Sequence, residues 1–399
     1  MIYTTATESI TRELISSRAA KLTESTTVAI SLNAHKYKAI DLALGNPDFP
    51  VIEEIKEAGV QAIRGDINHY ADPCGPKLLR NAISEKTSQY LNIKVDPETE
   101  ITVTCGTTEA MINALMAIVD PGDEVIVFEP FFGSYVQAIT LCGGVPRYVR
   151  LHSPNWEFDE RELICAFNAR TKAVILNTPS NPTGKVFSRR EIDLIADLCH
   201  KWDVLCVSDE IYEHIVFDGL EHISPIQLED MRDRLIVVSG MSKTYGVTGW
   251  RIGYAIAPPK ITNVLRAVHY CTTAGTAAPL QTAAIVPLQM PEEYYQNLRR
   301  DYQFRRERLT NILEPLGFVC YKPQGAFYLM ADISGFGFAN DVDFTNFLLK
   351  EVGVAVVPAS CFYSRSANVN NMVRFCFAKS ESTLTTAEQR LAKLAESKA

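Results

Sequence analysis

The sequence predicts an α/β fold in which a large domain, built on a mostly parallel sheet between helices, is joined to a smaller α+β domain. Two observations lead to this prediction. Short apolar, β-branched runs alternate with helical segments from about residue 100 to residue 257, as in doubly wound parallel sheets. The regions on either side are richer in charged helix and end in short apolar runs. A chain of 399 residues, 47% of them hydrophobic and 22% charged, is long enough for both domains.

The change in pattern sets the expected domain limits. We expect residues 45–281 to form the large domain. Residues 1–44 are expected to form an N-terminal arm and part of the small domain, and residues 282–399 to form its C-terminal part. No internal repeat or low-complexity linker marks these limits, so they depend on the pattern alone.

Six apolar runs are the predicted strands of the large sheet. They lie at residues 101–104, 125–128, 173–176, 204–207, 235–238 and 252–256. The clearest helix between them begins after Ser188, because Ser188 and Glu191 have the spacing of a capping box. Ile192, Ile195 and Cys199 then follow at intervals that put them on one helix face. The alternation of such helices with the six runs predicts the parallel sheet.

Charge and composition exclude several classes of partner. The formal net charge is -8 and no dense cluster of Lys and Arg is present, so nucleic acids and anionic membranes are not expected as partners. No run of about 18 apolar residues occurs and the first residues lack the pattern of a secretory signal, which predicts a cytoplasmic protein. The cysteines contain no C-x-x-C pair and the histidines no H-E-x-x-H motif, so we expect reduced thiols and no metal site.

Lys243 is the first candidate for chemistry. It lies among glycines and hydroxyls in residues 240–253, shortly after the predicted strand at residues 235–238. Ligands of parallel sheets bind at such strand ends, where amides of small residues can approach a phosphate and Arg251 can bind an anion. Burial and a nearby cation would lower the pKa of Lys243 toward the neutral amine that forms a Schiff base. The alternative is a surface lysine, with Arg251 in an ordinary ion pair.

Three further strand ends carry polar or aromatic residues. Thr107 and Thr108 open a helix whose free amides and hydroxyls either bind a phosphate or simply cap the helix. In residues 129–135 an aromatic side chain can stack on a ligand ring or pack in the core. Asp209 places a carboxylate at another strand end, where structural aspartates are also common. Each of these segments has a structural alternative when it is taken alone.

Arg374 and a turn-rich loop complete the set of candidates. Arg374 lies inside the apolar run at residues 373–377, and a buried cation is costly unless it meets an anion. That anion is either an internal carboxylate or a bound substrate. Residues 177–184 are dense in turn formers, which predicts a tight loop.

Residues 240–253 resemble the pyridoxal-phosphate attachment signature of class I and II aminotransferases. Every constrained position of the signature is matched, although many members have a serine where this chain has Gly240. Whether Ser239 replaces that phosphate contact stays open at the level of sequence. The resemblance extends over about residues 17–378 and looks closest to the subgroup of bacterial aspartate, aromatic and kynurenine aminotransferases. It implies fold type I, with the cofactor in the large domain.

The resemblance also implies a role for each residue at a matching position. Lys243 is implied to be catalytic and to bind pyridoxal 5'-phosphate as a Schiff base (aldimine). The residues implied to contact the cofactor's phosphate are Thr107, Thr108, Ser242, Arg251 and, from the neighbouring subunit, Tyr70. Those implied to contact its ring are Phe132 by stacking, Asp209 at the pyridine nitrogen, and Asn181 and Tyr212 at the phenolic oxygen. Those implied to hold the substrate carboxylate are Gly45, Asn181 and Arg374.

The implied enzyme is a homodimeric aminotransferase whose subunits share their active sites. It moves an amino group between an L-amino acid and a 2-oxo acid by a ping-pong mechanism, with 2-oxoglutarate and glutamate as one couple. A carbon-sulfur β-lyase with the same cofactor, or a non-catalytic pyridoxal-phosphate-binding regulator, is the alternative. The donor stays open. An aromatic pocket lined by Tyr70, Phe327 and Phe362 would favour aromatic or neutral donors, whereas a second free cation would favour aspartate and glutamate.

Overall fold

The computed structural model describes residues 14–364 and 369–396 of the chain. Residues 1–13 of the predicted N-terminal arm, and residues 365–368 and 397–399 of the predicted small domain, lie outside the described residues. The described strands are β1 (Ile40–Asp41), β2 (Ile101–Thr104), β3 (Glu124–Glu129), β4 (Val145–His152), β5 (Glu157–Phe158), β6 (Thr171–Asn177), β7 (Leu205–Asp209), β8 (Leu235–Gly240), β9 (Gly253–Ile256), β10 (Val319–Tyr321), β11 (Tyr328–Asp332), β12 (Val354–Ala355), β13 (Val357–Pro358) and β14 (Met372–Cys376). The described helices are α1 (Thr26–Tyr37), α2 (Glu53–Arg64), α3 (Lys77–Leu91), α4 (Gly106–Ile118), α5 (Ser134–Leu141), α6 (Glu160–Ala166), α7 (Arg189–Trp202), α8 (Pro259–Thr272), α9 (Ala278–Ala283), α10 (Ile285–Leu288), α11 (Glu292–Leu313), α12 (Asp341–Phe347), α13 (Glu381–Leu391) and α14 (Lys393–Glu396).

The largest sheet has eight strands in the order β2-β9-β8-β7-β6-β3-β4-β5. Neighbouring strands from β8 to β4 run parallel. β9 is antiparallel to both β2 and β8, and β5 is antiparallel to β4. The sheet is therefore mostly parallel, as predicted, and all six predicted strands are present within one or two residues of their expected limits.

β4 and β5, at one edge of this sheet, were not predicted from the sequence. β4 contains Pro146, Arg147 and Arg150, and most of its side chains are exposed or only partly buried. A strand near a sheet edge does not need the continuous apolar run of a parallel strand that is buried on both faces. A search for apolar runs consequently misses it.

Helices cover both faces of the large sheet. On one face, Val125 and Val127 of β3 share a core with Leu115 of α4. On the other face, the alternate residues Ile126 and Phe128 share a core with side chains of α3, α6 and α7. Because successive strand side chains point to opposite faces, burial on both sides requires apolar residues at every position. The continuous runs seen in the sequence have this physical cause.

A second, antiparallel sheet has four strands in the order β10-β11-β14-β13. Its core includes side chains from α11, α12 and α13, which gives this region the expected α+β character. The short parallel pair β1 and β12 joins residues 40–41 to residues 354–355, so the N-terminal region lies beside the C-terminal one. The domain limits at residues 45 and 281 stay predictions.

The predicted helix after Ser188 is present as α7. The Ser188 hydroxyl accepts a hydrogen bond from the Glu191 amide at 3.3 Å, and the Glu191 carboxylate accepts one from the Ser188 amide at 2.8 Å. The capping box is therefore confirmed. Of the helices that the structure describes, none is both long enough and apolar enough to cross a membrane.

Candidate active site

The carboxyl ends of the parallel strands bring the candidate residues to one edge of the large sheet. Asn177, at the end of β6, is in register with Asp209 at the end of β7. Gly240, at the end of β8, is in register with Gly253 of β9, which also pairs with Thr104 at the end of β2. Segments far apart in sequence converge here, as is general for ligand sites of open α/β sheets.

A cavity of about 590 Å³ opens at this edge. Its size is within the range of sites for small molecules. The candidate residues in its lining are Thr107, Thr108, Phe132, Asn181, Asp209, Tyr212, Ser242, Lys243 and Arg251. Gly45 and Arg374 contact members of this group, whereas Tyr70 does not lie in the lining. The structure thus brings together all the candidates except Tyr70.

Lys243 is a partly buried residue of this cavity. Its Nζ donates a hydrogen bond to the carbonyl oxygen of Gly45 at 2.8 Å and lies 5.4 Å from the ring centre of Phe327. Burial, assisted by the cations of Arg251 and Arg374, lowers the pKa of Lys243 to about 8. A substantial share of this amine is therefore neutral near physiological pH, as a nucleophilic lysine requires. An exposed surface lysine, the alternative from the sequence, is not what the structure contains.

One end of the cavity is suited to an anion. α4 begins at Gly106, so the amides of its first turn and the hydroxyls of Thr107 and Thr108 are at this end. A β-carbon built on Gly106 would lie 2.2 Å from Nη2 of Arg251, so glycine is needed for the guanidinium to come this close. Arg251 donates to the carbonyl oxygen of Thr248 at 3.0 Å, and it forms no ion pair with any described carboxylate. A helix N-terminus beside an unpaired guanidinium favours a bound anion.

The hydroxyl of Ser239 does not point to this anion site. It donates to Oε1 of Glu213 at 3.0 Å, and Ser239 is almost fully buried outside the cavity lining. A β-carbon built on Gly240 would lie 2.8 Å from the carbonyl oxygen of Ile252 and 3.1 Å from Oγ1 of Thr107. The departure from the aminotransferase pattern at Gly240 therefore has a packing reason, because a serine would crowd the neighbouring strand.

Asp209 provides a buried carboxylate on another wall of the cavity. Its Oδ2 accepts a hydrogen bond from the hydroxyl of Tyr135 at 2.6 Å, and its Oδ1 accepts one from the Ile211 amide at 3.2 Å. The side chain of Asn177 donates to the Asp209 carbonyl oxygen at 3.0 Å and helps to hold this residue. Burial raises the pKa of Asp209 to about 6. A cationic ligand group beside this carboxylate would reverse that shift.

Arg374 is a buried cation whose described hydrogen bonds all go to neutral oxygens. It donates to Oδ1 of Asn181 at 2.8 Å and to the carbonyl oxygen of Ala43 at 2.7 Å. Its guanidinium carbon lies 4.2 Å from the ring centre of Tyr328 and 4.8 Å from that of Phe362. Within the described part of the chain no carboxylate pairs with it, and its Nε has no partner. The internal salt bridge considered from the sequence is therefore absent there, and the site favours a carboxylate ligand.

Two tyrosines of the cavity were not predicted from the sequence. The hydroxyl of Tyr328 lies 3.1 Å from that of Tyr212, and a β-carbon built on Gly45 would lie 1.8 Å from the Tyr328 oxygen. Tyr135 hydrogen bonds Asp209, as described above. Tyr328 follows Phe327 in an apolar run and Tyr135 lies in a helix, so both are typical of core residues when seen in sequence. The groups that hydrogen bond to their hydroxyls belong to other segments of the chain, so the neighbouring sequence does not reveal them.

Phe132 and Tyr70 are the two aromatic candidates with exposed side chains. Phe132 is 37% exposed and contacts Tyr135 edge to face, with ring centres 5.6 Å apart. An open aromatic face at a cavity can stack on a planar ligand. Tyr70 is 98% exposed and makes no part of the cavity lining of its own chain.

Lys243 and Arg251 thus lie at the edge of the large sheet, and Arg374 reaches Asn181 of the same cavity from β14 of the antiparallel sheet. The chain matches the family Aminotransferase class I and II over residues 37–391. It is 35% identical to kynurenine-oxoglutarate transaminase 1 of Homo sapiens, over 90% of this chain and 93% of that protein. It is 36% identical to methionine aminotransferase of Escherichia coli K12, over 92% and 94%. The solved structure of N-succinyldiaminopimelate aminotransferase from Mycobacterium tuberculosis superposes with a TM-score of 0.93 at 33% identity, covering 95% of this chain and 100% of that one.

The chain therefore belongs to the class I and II aminotransferases. It is a pyridoxal-phosphate-dependent transaminase, which moves amino groups between amino acids and 2-oxo acids. Membership in the family implies pyridoxal 5'-phosphate as the cofactor. The cavity fits this molecule, because it combines an anion site at Gly106 and Arg251, an amine at Lys243 and a buried carboxylate at Asp209.

Proposed function

We propose that this aminotransferase binds its cofactor through Lys243, uses an amino donor with an uncharged side chain, and accepts 2-oxoglutarate. One observation carries the proposal: Lys243 is close enough to the guanidinium groups of Arg251 and Arg374 for both to lower its pKa, and neither group has a described carboxylate partner. Arg251 stands at the N-terminus of α4 and suits a phosphate. Arg374 is buried beside Asn181 and suits an α-carboxylate. Two anion sites near a reactive amine match a phosphorylated aldehyde and an amino acid.

Lys243 and the cofactor have different roles in the proposed reaction. Pyridoxal phosphate, when bound, supplies the carbon that takes the amino group and a ring that accepts electrons. Lys243 first acts as the nucleophile that holds the cofactor. Once released by an amino donor, its Nζ would take the proton from the substrate's Cα as a general base and return it as a general acid. The same steps in reverse serve the 2-oxo acid.

Other side chains orient the reactants for this proton transfer. Arg374 and Asn181 bind the substrate carboxylate, which fixes the direction of the Cα–H bond. Asp209 would keep the ring nitrogen protonated, and Tyr135 donates the hydrogen bond that holds the Asp209 carboxylate in place. Tyr212 would donate to the phenolic oxygen, and its hydroxyl lies 3.1 Å from that of Tyr328.

The described lining of the cavity favours an uncharged donor side chain. Its cations are Lys243 and Arg251, and both already have a role in the proposal. The wall near Ile112, Phe132 and Leu141 is apolar. A dicarboxylic donor needs a further cation for its second carboxylate, and the described lining offers none. Two relatives that are named for kynurenine and methionine support this class of donor, and the name of the first supports 2-oxoglutarate as acceptor.

A homodimer with shared active sites is part of the same proposal. The exposure of Tyr70, outside its own cavity, supports a contact with the phosphate bound to a neighbouring subunit. The division into domains at residues 45 and 281 is proposed on the pattern of the sequence, and limited proteolysis tests it. A cytoplasmic location is likewise proposed, and cell fractionation tests it.

The central test compares Lys243→Ala with the wild type and with Lys201→Ala, a control on an exposed lysine of α7. The wild type and the control should show a visible absorbance band with the cofactor, and the band should shift when an uncharged amino donor is added. Lys243→Ala should lose both the band and turnover with 2-oxoglutarate. Retention of both would refute the assignment of Lys243. Pyruvate and ammonia released from cystathionine without an acceptor would show a β-lyase instead.

A further inference from the structure

A buried ion pair joins α4 to α8 beside the proposed phosphate site. Glu109, in the first turn of α4, is 8% exposed, and His269, in the last turn of α8, is fully buried. Oε1 of Glu109 lies 2.7 Å from Nδ1 of His269. Neither residue has a part in the proton transfers described above, so the pair requires a different explanation.

Each ring nitrogen of His269 lies within hydrogen-bond distance of an oxygen that can accept. Nε2 lies 2.8 Å from the carbonyl oxygen of Pro73, which can only accept a hydrogen bond. Nδ1 faces Glu109. Burial acts to raise the pKa of Glu109, but hydrogen bonds from His269, Thr273 and the Cys105 amide lower it to about 2, so this carboxylate also accepts only. A neutral imidazole has a single N–H and cannot donate to both oxygens.

The carboxylate of Glu109 accepts hydrogen bonds from residues at the start of α4 and at the end of α8. It accepts hydrogen bonds from the amide of Cys105, the residue that precedes the first turn of α4. It also accepts from Asn113 Nδ2 at 3.0 Å and from the hydroxyls of Thr272 at 2.9 Å and Thr273 at 2.6 Å. The amides and hydroxyls proposed to hold the phosphate belong to this same helical turn, so Glu109 controls its position.

The pair also reaches the other parts of the phosphate site. Beyond the end of α8, the hydroxyl of Thr276 donates to the carbonyl oxygen of Arg251 at 3.2 Å. On its other side, His269 holds the carbonyl of Pro73, which lies in the loop that carries Tyr70. His269 is therefore bonded to α4 and to the Tyr70 loop, and the segment that follows its helix is bonded to Arg251.

We propose that Glu109 and a doubly protonated His269 are positioning residues for the cofactor's phosphate. They hold the first turn of α4 in place beside Arg251 and tie both to the loop that carries Tyr70. The inference rests on the proposed function, because it assumes that the phosphate binds at this end of the cavity. Loss of either charge leaves the other buried without its partner, which disturbs the turn they hold.

The test measures affinity of the apoenzyme for pyridoxal phosphate and for pyridoxal, which lacks the phosphate. The variants are Glu109→Gln, His269→Gln and the double variant, with His152→Gln as a control on an exposed histidine. Each single variant should bind pyridoxal phosphate roughly 10- to 100-fold more weakly, as expected for lost hydrogen bonds to charged groups. Pyridoxal affinity should change less than about twofold, since the change acts through the phosphate. The double variant should recover part of the loss because two amides can pair.

Equal losses for both ligands would overturn the proposal, because they would indicate general damage to the fold. A second measurement is made on the wild type itself. The ¹⁵N NMR signals of His269 in the wild type, assigned through their loss in His269→Gln, should show both ring nitrogens protonated; a neutral tautomer would refute the inference. The two proposals can be refuted separately. If the wild type binds no pyridoxal phosphate, the proposed function is wrong. If the wild type and the variants all bind pyridoxal phosphate with the same affinity, only the positioning role of Glu109 and His269 is wrong.

Discussion

Replacement of Arg374 by methionine should separate substrate recognition from folding. In the folded chain Arg374 is a buried cation with two hydrogen bonds to neutral oxygens and no described anionic partner. Methionine fills a similar length of space without the charge. The variant therefore removes the proposed carboxylate clamp and, at the same time, a charge that costs free energy to bury.

The size of the effect follows from the bonds that are lost. A guanidinium gripping a carboxylate makes two charge-assisted hydrogen bonds, each of about 1.5–3 kcal/mol. Their loss from the transition state, about 3–6 kcal/mol, lowers kcat/KM by roughly two to four orders of magnitude. The free energy of unfolding should change by no more than about 2 kcal/mol, because relief of the buried charge offsets the two lost hydrogen bonds to Asn181 and Ala43.

The assay compares half-reaction rates for phenylalanine and for phenethylamine, the same donor without its carboxylate. The wild type should strongly prefer the amino acid, and Arg374→Met should reduce that preference to near parity. Arg306→Met is the matched control, because Arg306 is also fully buried but is paired with Asp218 at 2.7 Å. The control should lose stability and keep the preference. If Arg374→Met still prefers phenylalanine as strongly as the wild type, the carboxylate role of Arg374 is wrong.

Three further predictions concern the ring nitrogen, the lysine and the dimer. Asp209→Asn should lower kcat roughly 100- to 1000-fold, as removal of one preorganised electrostatic group does. Tyr135→Phe removes only the supporting hydrogen bond and should lower kcat by a smaller factor. Equal kcat values for Asp209→Asn and the wild type would exclude the role of Asp209. Since burial lowers the pKa of Lys243 to about 8, capture of the cofactor by the apoenzyme should accelerate as the pH rises, with a midpoint near 8 rather than near the ordinary value of 10.5. Between pH 8 and pH 10.5, Lys243 is protonated in the unfolded chain but largely neutral in the folded one. The free energy of unfolding of the apoenzyme, measured with urea, should therefore rise with pH over this range. The variant Lys243→Met should not show this rise. After subunit exchange in an equal mixture of the inactive variants Lys243→Ala and Tyr70→Ala, about a quarter of all sites should be active, because about half of the dimers are mixed and each mixed dimer holds one intact site. No recovery would show that Tyr70 does not act across the interface.

The fold could be predicted where local sequence and burial coincide. The six strands buried on both faces are apolar at nearly every position, so they are visible as runs. Strand β4, next to the edge of the sheet, carries Pro146, Arg147 and Arg150 on a partly exposed surface, and a search for apolar runs misses it. Ser188 and Glu191 form the predicted capping box because both partners lie within one helical turn.

The candidate site shows the same limit. Lys243, Asp209 and Arg374 were identified from motifs in which the reactive residue and its neighbours are adjacent in the chain. Tyr135 and Tyr328 were missed, because their partners Asp209 and Tyr212 come from other segments. Ser239 was left open in the sequence, and only its hydrogen bond to Glu213 shows that its hydroxyl points away from the cavity.

The sequence by itself determined the type of fold, the aminotransferase family and the candidate lysine, since these depend on short motifs and on periodicity along the chain. The tertiary structure decided the electrostatic state of the site. The unpaired guanidinium groups of Arg251 and Arg374 and the lowered pKa of Lys243 arise from segments that meet only in the folded chain. The charge of an ionisable group depends on its distance to other charges and on its separation from water, and both are properties of the packed structure.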